Sequence, residues 1–240
     1  MTLLNTAAGN AKILKSQTGT DFRIASLSLY PNDTVCPAAL LAGCKDPCLV
    51  TAGRGAMSTV AAGRQSKTDL WMQDKETFLE QLKKEMANFR DLCHKQGKQA
   101  AFRLNTISDI AWEKYGIPQM FDDCLLYDYT KIASRLGRTP DNYKLIFSYS
   151  GAAAYQNQVK RALTTKANIA VVFRGFVPVG ETFLGREIID GDKSDLINVY
   201  SENKILGLKL KGNKQTQQTQ SPFVIDPASV LQSLDLIAAE

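Results

Sequence analysis

Histidine is nearly absent from this chain: His94 is the only one among 240 residues. It falls in the last turn of a predicted helix, so a zinc hydrolase with histidine ligands or a serine–histidine–aspartate enzyme is disfavoured. The sequence also lacks a Gly-x4-Gly-Lys-Ser/Thr loop and any Cys-x2-Cys pair. These absences disfavour nucleoside triphosphate hydrolysis and the usual zinc site built from two close thiol pairs.

Long apolar runs are missing as well. No stretch offers the roughly 18 uncharged apolar residues of a membrane span, and the N-terminus does not have the pattern of a signal peptide. We therefore expect a cytoplasmic protein that makes no use of a membrane. In a reducing compartment, an odd count of five cysteines argues against a disulfide framework and favours metal ligands or catalytic groups.

The charge balance is mildly basic, with a net charge of +5 and an isoelectric point near 8.9. Such an excess permits a nucleic-acid partner but lacks the clustered lysines and arginines of a dedicated nucleic-acid binder. The hydrophobic content of 44% is ordinary for a folded core.

Three of the five cysteines, Cys36, Cys44 and Cys48, share one loop, residues 34–55, with the spacing Cys-x7-Cys-x3-Cys. Thiolates are soft ligands, so this loop suits an iron–sulfur cluster or zinc. Three thiols can hold a [4Fe-4S] cluster with one iron left open for a small molecule. Cys93 lies on the apolar stripe of a predicted helix and Cys124 begins a predicted strand, so both are expected to be buried hydrophobes.

Strand and helix patterns alternate through the middle of the chain. This order predicts an α/β fold with a parallel sheet, curled into a partial or complete parallel β/α barrel. The predicted strands are 23–29, 100–106, 124–130, 143–150 and 168–174, and the predicted helices are 56–73, 74–96, 131–136 and 152–164, with an irregular crossover over 110–121.

The predicted organisation has three parts: an N-terminal arm over 1–22 with a short strand at 11–15, a barrel-like core over 23–175, and a β-rich C-terminal extension over 176–240. In the extension, 187–192 reads as a turn rich in carboxylates. Its aspartates, with Asp195, could bind a hard cation, but ordinary turn chemistry explains them better. Lys204–Lys211 is expected as a basic edge strand, 214–220 as a loop and 223–226 as a strand followed by a helix from Pro227.

Seven sequence blocks resemble, in the same order, the bacteriophage proteins of the gene-product-eighty-eight family. The resemblance runs from about residue 23 to residue 226, and the blocks are 34–54, 102–109, 127–131, 142–148, 188–195, 207–212 and 223–225. That family is remotely similar to radical S-adenosylmethionine enzymes, which are partial barrels with a three-cysteine cluster loop after the first strand. Those enzymes space their thiols more closely than this chain does.

The resemblance implies that Cys36, Cys44 and Cys48 bind a [4Fe-4S] cluster and that S-adenosylmethionine is the candidate molecule at its open iron. Barrel enzymes carry their sites at the carboxyl ends of strands. The residues expected there are Asp109, Lys131 and Arg174 as catalytic groups and Asn105, Ser108, Thr130 and Ser148 as cofactor-binding groups. The alternative for each is an ordinary residue near a strand end.

Three hypotheses follow. The first is an iron–sulfur enzyme of radical S-adenosylmethionine type, with a nucleotide or nucleic acid as candidate substrate. The second is a non-catalytic phage protein that binds nucleic acid or assists replication, with a structural cluster or zinc. In the third, the cysteines are reduced thiols of a binding or structural module.

Overall fold

The computed structural model describes residues 1–6 and 11–231, apart from the side chains of residues 11, 12 and 54. The protein is a mixed α/β structure with a ten-stranded, mostly parallel sheet. The strand order is β1-β2-β3-β4-β5-β6-β9-β8-β7, and β10 pairs with β6 off this path. The strands are β1 Leu4–Asn5, β2 Phe22–Leu27, β3 Gln99–Arg103, β4 Leu125–Thr130, β5 Tyr143–Ser148, β6 Ile169–Phe173, β7 Thr182–Phe183, β8 Arg186–Asp190, β9 Ile205–Lys209 and β10 Val224–Ile225.

Eight α-helices lie wholly within the described part of the chain and accompany these strands. They are α1 Ala11–Gln17, α2 Ala39–Ala42, α3 Ser58–Gln73, α4 Lys75–Lys95, α5 Ile117–Met120, α6 Gln156–Leu163, α7 Asp195–Tyr200 and α8 Lys214–Gln217. The predicted strands from β2 to β6 and the predicted helices at α3, α4 and α6 are confirmed, with bounds shifted by a few residues. The helix predicted for 131–136 is a 3-10 turn over Ala133–Arg135.

The chain divides into two compact units. The first comprises Met1–Pro37, Arg54–Tyr129 and Arg138–Leu145, and the second comprises Ala38–Gly53, Thr130–Gly137 and Ile146–Glu240. Strand β5 has residues in both units.

The first unit is built around α4, whose apolar stripe Phe78, Leu82, Met86, Phe89 and Cys93 is buried. Phe89 meets Phe102 of β3 edge to face, with ring centroids 5.7 Å apart. The helix begins after Asp74, whose carboxylate accepts a hydrogen bond from the Thr77 N–H at 3.0 Å. It ends before Gly97, whose φ of 63° is the left-handed conformation that favours glycine after a helix.

The N-terminal residues of the first unit are held firmly. The Glu85 carboxylate accepts hydrogen bonds from the N–H groups of Leu3 and Leu4 at 2.8–2.9 Å, and the Lys67 ammonium donates to the Leu3 carbonyl at 2.7 Å. Strand β1 also pairs antiparallel with β2. The expected short strand at 11–15 is wrong, because Ala11–Gln17 is helical.

The second unit packs aromatic rings around β5 and β6. Phe147 stacks on Tyr155 with centroids 5.7 Å apart, and Phe183 meets Tyr149 at 5.4 Å and Phe173 at 6.4 Å. Buried Arg186 donates to three carbonyls around the end of α6, those of Leu163, Thr165 and Ala167. It thereby satisfies carbonyl groups that the helix end leaves unpaired.

Two expectations for the C-terminal third need correction. Residues 186–190 form strand β8 rather than part of a turn, and β9 lies between β6 and β8 instead of at an edge. Gly207 explains how β9 fits there: a Cβ at that position would lie 2.1 Å from Val177 Cγ1. The predicted final strand is confirmed as β10, whereas most of the helix predicted from Pro227 lies outside the described residues.

Candidate functional site

The cysteine loop contributes residues to both units. Cys36, in the first unit, is buried, and its Sγ–H donates to the Ile107 carbonyl at 3.2 Å. Cys44 and Cys48, in the second unit, are half-buried. None of the five cysteines forms a disulfide. The loop thus supplies reduced thiols, two of which are partly accessible.

The position of Cys44 is fixed by the chain just before it. Ser150 Oγ donates to the Ala42 carbonyl at 2.7 Å, and Ser221 Oγ donates to the Gly43 carbonyl. Gly43 has a φ of 69°, and a Cβ there would lie 3.1 Å from Ser221 Oγ. Two serines of the second unit therefore hold the end of α2 in place, and this role was not predicted from the sequence.

No metal group is assembled in residues 1–6 and 11–231: no three histidine, cysteine, aspartate or glutamate side chains there could hold an ion together. The aspartates of the carboxylate-rich segment instead satisfy local donors. Asp190 Oδ1 accepts from the Asp192 N–H at 2.9 Å, and Asp192 pairs with Lys211 at 2.5 Å. The preferred explanation by turn chemistry agrees with these contacts.

The other two cysteines are buried, as predicted. Burial raises the pKa of Cys93, and burial together with neighbouring Asp123 raises the pKa of Cys124 to about 12. Thiols with such raised pKa values are poor nucleophiles and poor metal ligands at neutral pH. The only histidine, His94, is exposed and its Nε2 lies 3.7 Å from Asp123 Oδ2.

Asn105 and Ser108 come together in the first unit, in a buried polar network. Asn105 Nδ2 donates to the Ile110 carbonyl at 2.9 Å and to Asp128 Oδ2 at 3.3 Å, while its Oδ1 accepts from Ser108 Oγ and the Ile110 N–H. An amide side chain has two donors and two acceptor positions, and all four are used here. Asn105 therefore has no spare capacity for a ligand in this arrangement.

Asp128 and Tyr143 complete the network and were missed by sequence reasoning. Asp128 is fully buried; its Oδ1 accepts from the Asn105 N–H at 2.7 Å and its Oδ2 from Tyr143 Oη at 2.9 Å. The sequence did contain a signal for this network, because a carboxylate that lies within a buried strand, between two tyrosines, needs hydrogen-bond partners. Asp109, a predicted catalytic group, is also buried, and its N–H donates to the Val35 carbonyl at 2.7 Å.

In the second unit, the backbone carbonyls of two further predicted residues, Lys131 and Ser148, contact Tyr155. Its hydroxyl donates toward the carbonyls of Lys131 and Ser148 at 2.8 and 3.0 Å. Thr130 Oγ1 accepts from Arg135 Nη1 at 3.2 Å and from the Ile132 N–H at 3.1 Å. The predicted catalytic and cofactor-binding roles of these residues stay predictions.

Arg174, the last predicted catalytic group, donates from its guanidinium to the carbonyls of Gln217 and Thr219 at 2.6 and 2.5 Å. These bonds hold the end of α8 and the residues just after it against the end of β6, a structural role that the sequence did not indicate. A catalytic role for Arg174 stays a prediction.

Comparison with known proteins identifies the family. A family profile described as gene product 88 matches residues 2–226. The chain belongs to the gene product 88 family. This membership supports a bacteriophage protein, as the sequence blocks indicated. No curated protein and no solved structure matches this family member significantly, so the comparisons give no support for the similarity to radical S-adenosylmethionine enzymes.

No helix among the described residues is long and apolar enough to cross a membrane.

Proposed function

We propose that this phage protein binds a [4Fe-4S] cluster through Cys36, Cys44 and Cys48. The observation that carries the proposal is a single short segment with three reduced thiols, of which Cys44 and Cys48 are half-buried rather than enclosed. The other two cysteines are buried with raised pKa values, so thiolate chemistry is concentrated in this one segment.

The described residues do not hold a preassembled metal group, so we expect binding to be coupled to rearrangement of the loop. Cys36 must give up its hydrogen bond to the Ile107 carbonyl when its thiol loses a proton to become a ligand.

The family resemblance seen in the sequence supports four further parts of the proposal: the small molecule at the cluster, the substrate, the compartment and the closure of the sheet. A cluster with one iron not bound by protein would supply a site for a small molecule, and S-adenosylmethionine is the candidate. A nucleotide or nucleic acid is the candidate substrate, and the host cytoplasm is the expected compartment. Closure of the sheet into a partial barrel belongs to the same proposal.

The alternative is a non-catalytic nucleic-acid-binding protein with a structural cluster or zinc. The basic segment around β9 offers it limited support, because Lys204 pairs with Glu187 at 2.6 Å and Lys211 pairs with Asp192. Paired lysines contribute less positive charge to a polyanion than the sequence count indicates.

The test is metal analysis of anaerobically purified protein, with an absorption spectrum. The variant is the triple substitution Cys36→Ser, Cys44→Ser, Cys48→Ser, and the matched control is Cys93→Ala, Cys124→Ala. We expect about four irons and four sulfides per chain in the wild type and the control, and none in the triple variant.

The outcomes separate the hypotheses. Stoichiometric zinc that is lost in the triple variant would move the conclusion to the structural-site alternative. Absence of any metal after anaerobic purification and after reconstitution with iron and sulfide would refute both and leave a module with ordinary thiols.

A further inference from the structure

The two tryptophans of the chain lie in one aromatic cluster of the first unit. Trp71, near the end of α3, meets the rings of Phe78, Trp112 and Tyr115 edge to face, with centroids 5.2, 5.6 and 5.4 Å away. Contacts with three neighbouring rings restrict the rotation of the Trp71 side chain. The protein itself therefore holds these rings in fixed positions.

Trp71 and Tyr115 form the two walls of an aromatic corner. Their ring planes cross at 80°, and the Lys75 ammonium lies over both rings, with its Nζ 4.9 Å from the Trp71 centroid and 5.9 Å from the Tyr115 centroid. Both distances fall within the range of about 6 Å over which the negative face of a ring attracts a cation. The corner is thus a site for a cation, and the chain's own lysine occupies it.

The remaining surroundings of Lys75 do not favour a cation. Lys75 is the first residue of α4, and the amino end of a helix carries a partial positive charge. The carboxylate of neighbouring Asp74 accepts a hydrogen bond from the Thr77 N–H, and Lys75 forms no ion pair within the described chain. The two rings are therefore the groups that hold the ammonium in this position.

Lys75 can leave the aromatic corner at little cost. The lysine is exposed to solvent, and a cation–π contact at an exposed site is weak. Its flexible four-carbon stem allows the ammonium to move into water. Trp71, in contrast, is only 3% exposed, so departure of the lysine would uncover an aromatic face that is otherwise shielded.

We propose that Trp71 and Tyr115 bind a quaternary ammonium group of a small molecule, and that Lys75 competes with this ligand from within the chain. A quaternary ammonium suits two ring faces, because it has no N–H group that requires a hydrogen-bond acceptor, and aromatic cages recognise such cations. Rings that are already fixed lose little side-chain freedom when the ligand binds. The site uses none of the cysteines and is independent of the proposed cluster.

The experiment is titration of the full chain with tetramethylammonium chloride, followed by tryptophan fluorescence. Since both tryptophans belong to the aromatic cluster, the emission reports on this part of the protein alone. Sodium chloride at equal concentrations is the blank. We expect a saturable change in the wild type and about two- to fivefold tighter binding in Lys75→Gln, the gain that corresponds to removal of one weak competing cation–π contact.

Lys84→Gln is the matched control, because Lys84 is an exposed lysine of the same helix and lies outside the aromatic cluster. We expect it to bind tetramethylammonium as the wild type does. In the Lys75→Gln background, Tyr115→Phe keeps the second wall and should preserve binding, whereas Tyr115→Leu removes it and should weaken binding at least about fivefold.

A second probe, butylammonium, carries the primary ammonium of a lysine side chain. We expect it to bind less tightly than tetramethylammonium, because its N–H groups must give up water without gaining an acceptor. Tighter binding of butylammonium would overturn the assignment to a quaternary ammonium.

The proposal is also overturned if Lys75→Gln shows no response to tetramethylammonium beyond the sodium chloride blank at about 100 mM, a range that would reveal even a weak millimolar site. Equal tightening by Lys84→Gln would assign the effect to net charge and refute competition by Lys75. The comparison of the wild type with Lys75→Gln changes no ring, so it decides the question even if Tyr115→Leu does not fold.

Discussion

At the scale of single residues, Asn105 shows how a predicted ligand-binding group can instead be a structural one. The sequence placed it correctly after a strand, yet its four hydrogen bonds all stay within the protein. A sequence pattern locates a strand end, but it does not reveal whether the side chain there turns toward a ligand or toward its own loop.

We expect Asn105→Ala to destabilise the protein by about 2–4 kcal/mol, because it removes four hydrogen bonds of the side chain, among them a donor to the buried Asp128 carboxylate and the acceptor of the Ile110 N–H. Ser108→Ala removes one hydrogen bond and should cost about 1 kcal/mol. Urea unfolding of both variants measures the two values. A smaller loss for Asn105→Ala than for Ser108→Ala would contradict the network.

The Cys124 thiol makes a prediction about alkaline stability. Its pKa is raised by burial and then by Asp123 to about 12, above the ordinary value of 9.0. Well below pH 9 the thiol is protonated in both the folded and the unfolded state, and its contribution to the free energy of unfolding is fully present. As the pH rises from 9 toward 12, the unfolded thiol ionises first, so the folded state loses this contribution.

In Cys124→Ala, the stability difference from the wild type should therefore shrink between pH 8 and pH 11. Urea unfolding at each pH measures it. Leu126→Ala, which removes a buried neighbour that does not titrate, should show a constant difference over the same range. A stability difference that also stays constant with pH for Cys124→Ala would show that the pKa of Cys124 is not raised in the folded protein.

At the scale of elements, the sequence predicted the parts with strong periodicity. Helix α4 was predicted with its cap and its buried stripe, and the strands from β2 to β6 were predicted in order. Short segments were harder, since a few residues such as Ala11–Lys15 cannot distinguish a helix from a strand by period alone. The six-residue helix α7 was not predicted from the sequence for the same reason.

The position of β9 could not be predicted from its own residues. Its lysines suggested an edge, whereas the decisive contacts come from distant parts of the chain: the Asp192 carboxylate accepts from the Lys209 N–H at 2.9 Å, and Val177 packs where a Gly207 side chain would lie. The clamping of the cysteine loop by Ser150 and Ser221 is likewise a contact over long sequence separation.

The attachment of β1 depends on Glu85 of α4. We expect Glu85→Ala to accelerate hydrogen exchange at the Leu3 and Leu4 amides at least tenfold, because both lose a charged acceptor. Exchange measured by mass spectrometry or NMR tests this. Glu80→Ala, an exposed change on the same helix, should leave those amides unaffected. Unchanged exchange in Glu85→Ala would show that pairing with β2 suffices.

At the scale of the whole molecule, the modest net charge of +5 favours only weak nonspecific attraction to nucleic acid. We expect weak binding to single-stranded DNA that decreases steeply with salt. Asp192→Asn, which removes the partner of Lys211, should raise the affinity a few-fold at low salt. Fluorescence anisotropy measures both, and tight binding that resists 200 mM salt would favour a dedicated nucleic-acid protein.

The edge of β6 is shared along its length by two strands. Phe147 and Ser148 of β5 pair with its first residues, whereas Val224 and Ile225 of β10 pair with its last ones. During synthesis on a ribosome, all segments of the first unit have been made once residue 145 is joined. Strand β10, which pairs with the last residues of β6, is complete only when the chain reaches residue 225. A nascent chain stalled after β6 is made and before residue 225 would therefore expose unpaired backbone on β6. A chaperone would bind the chain most readily at this stage.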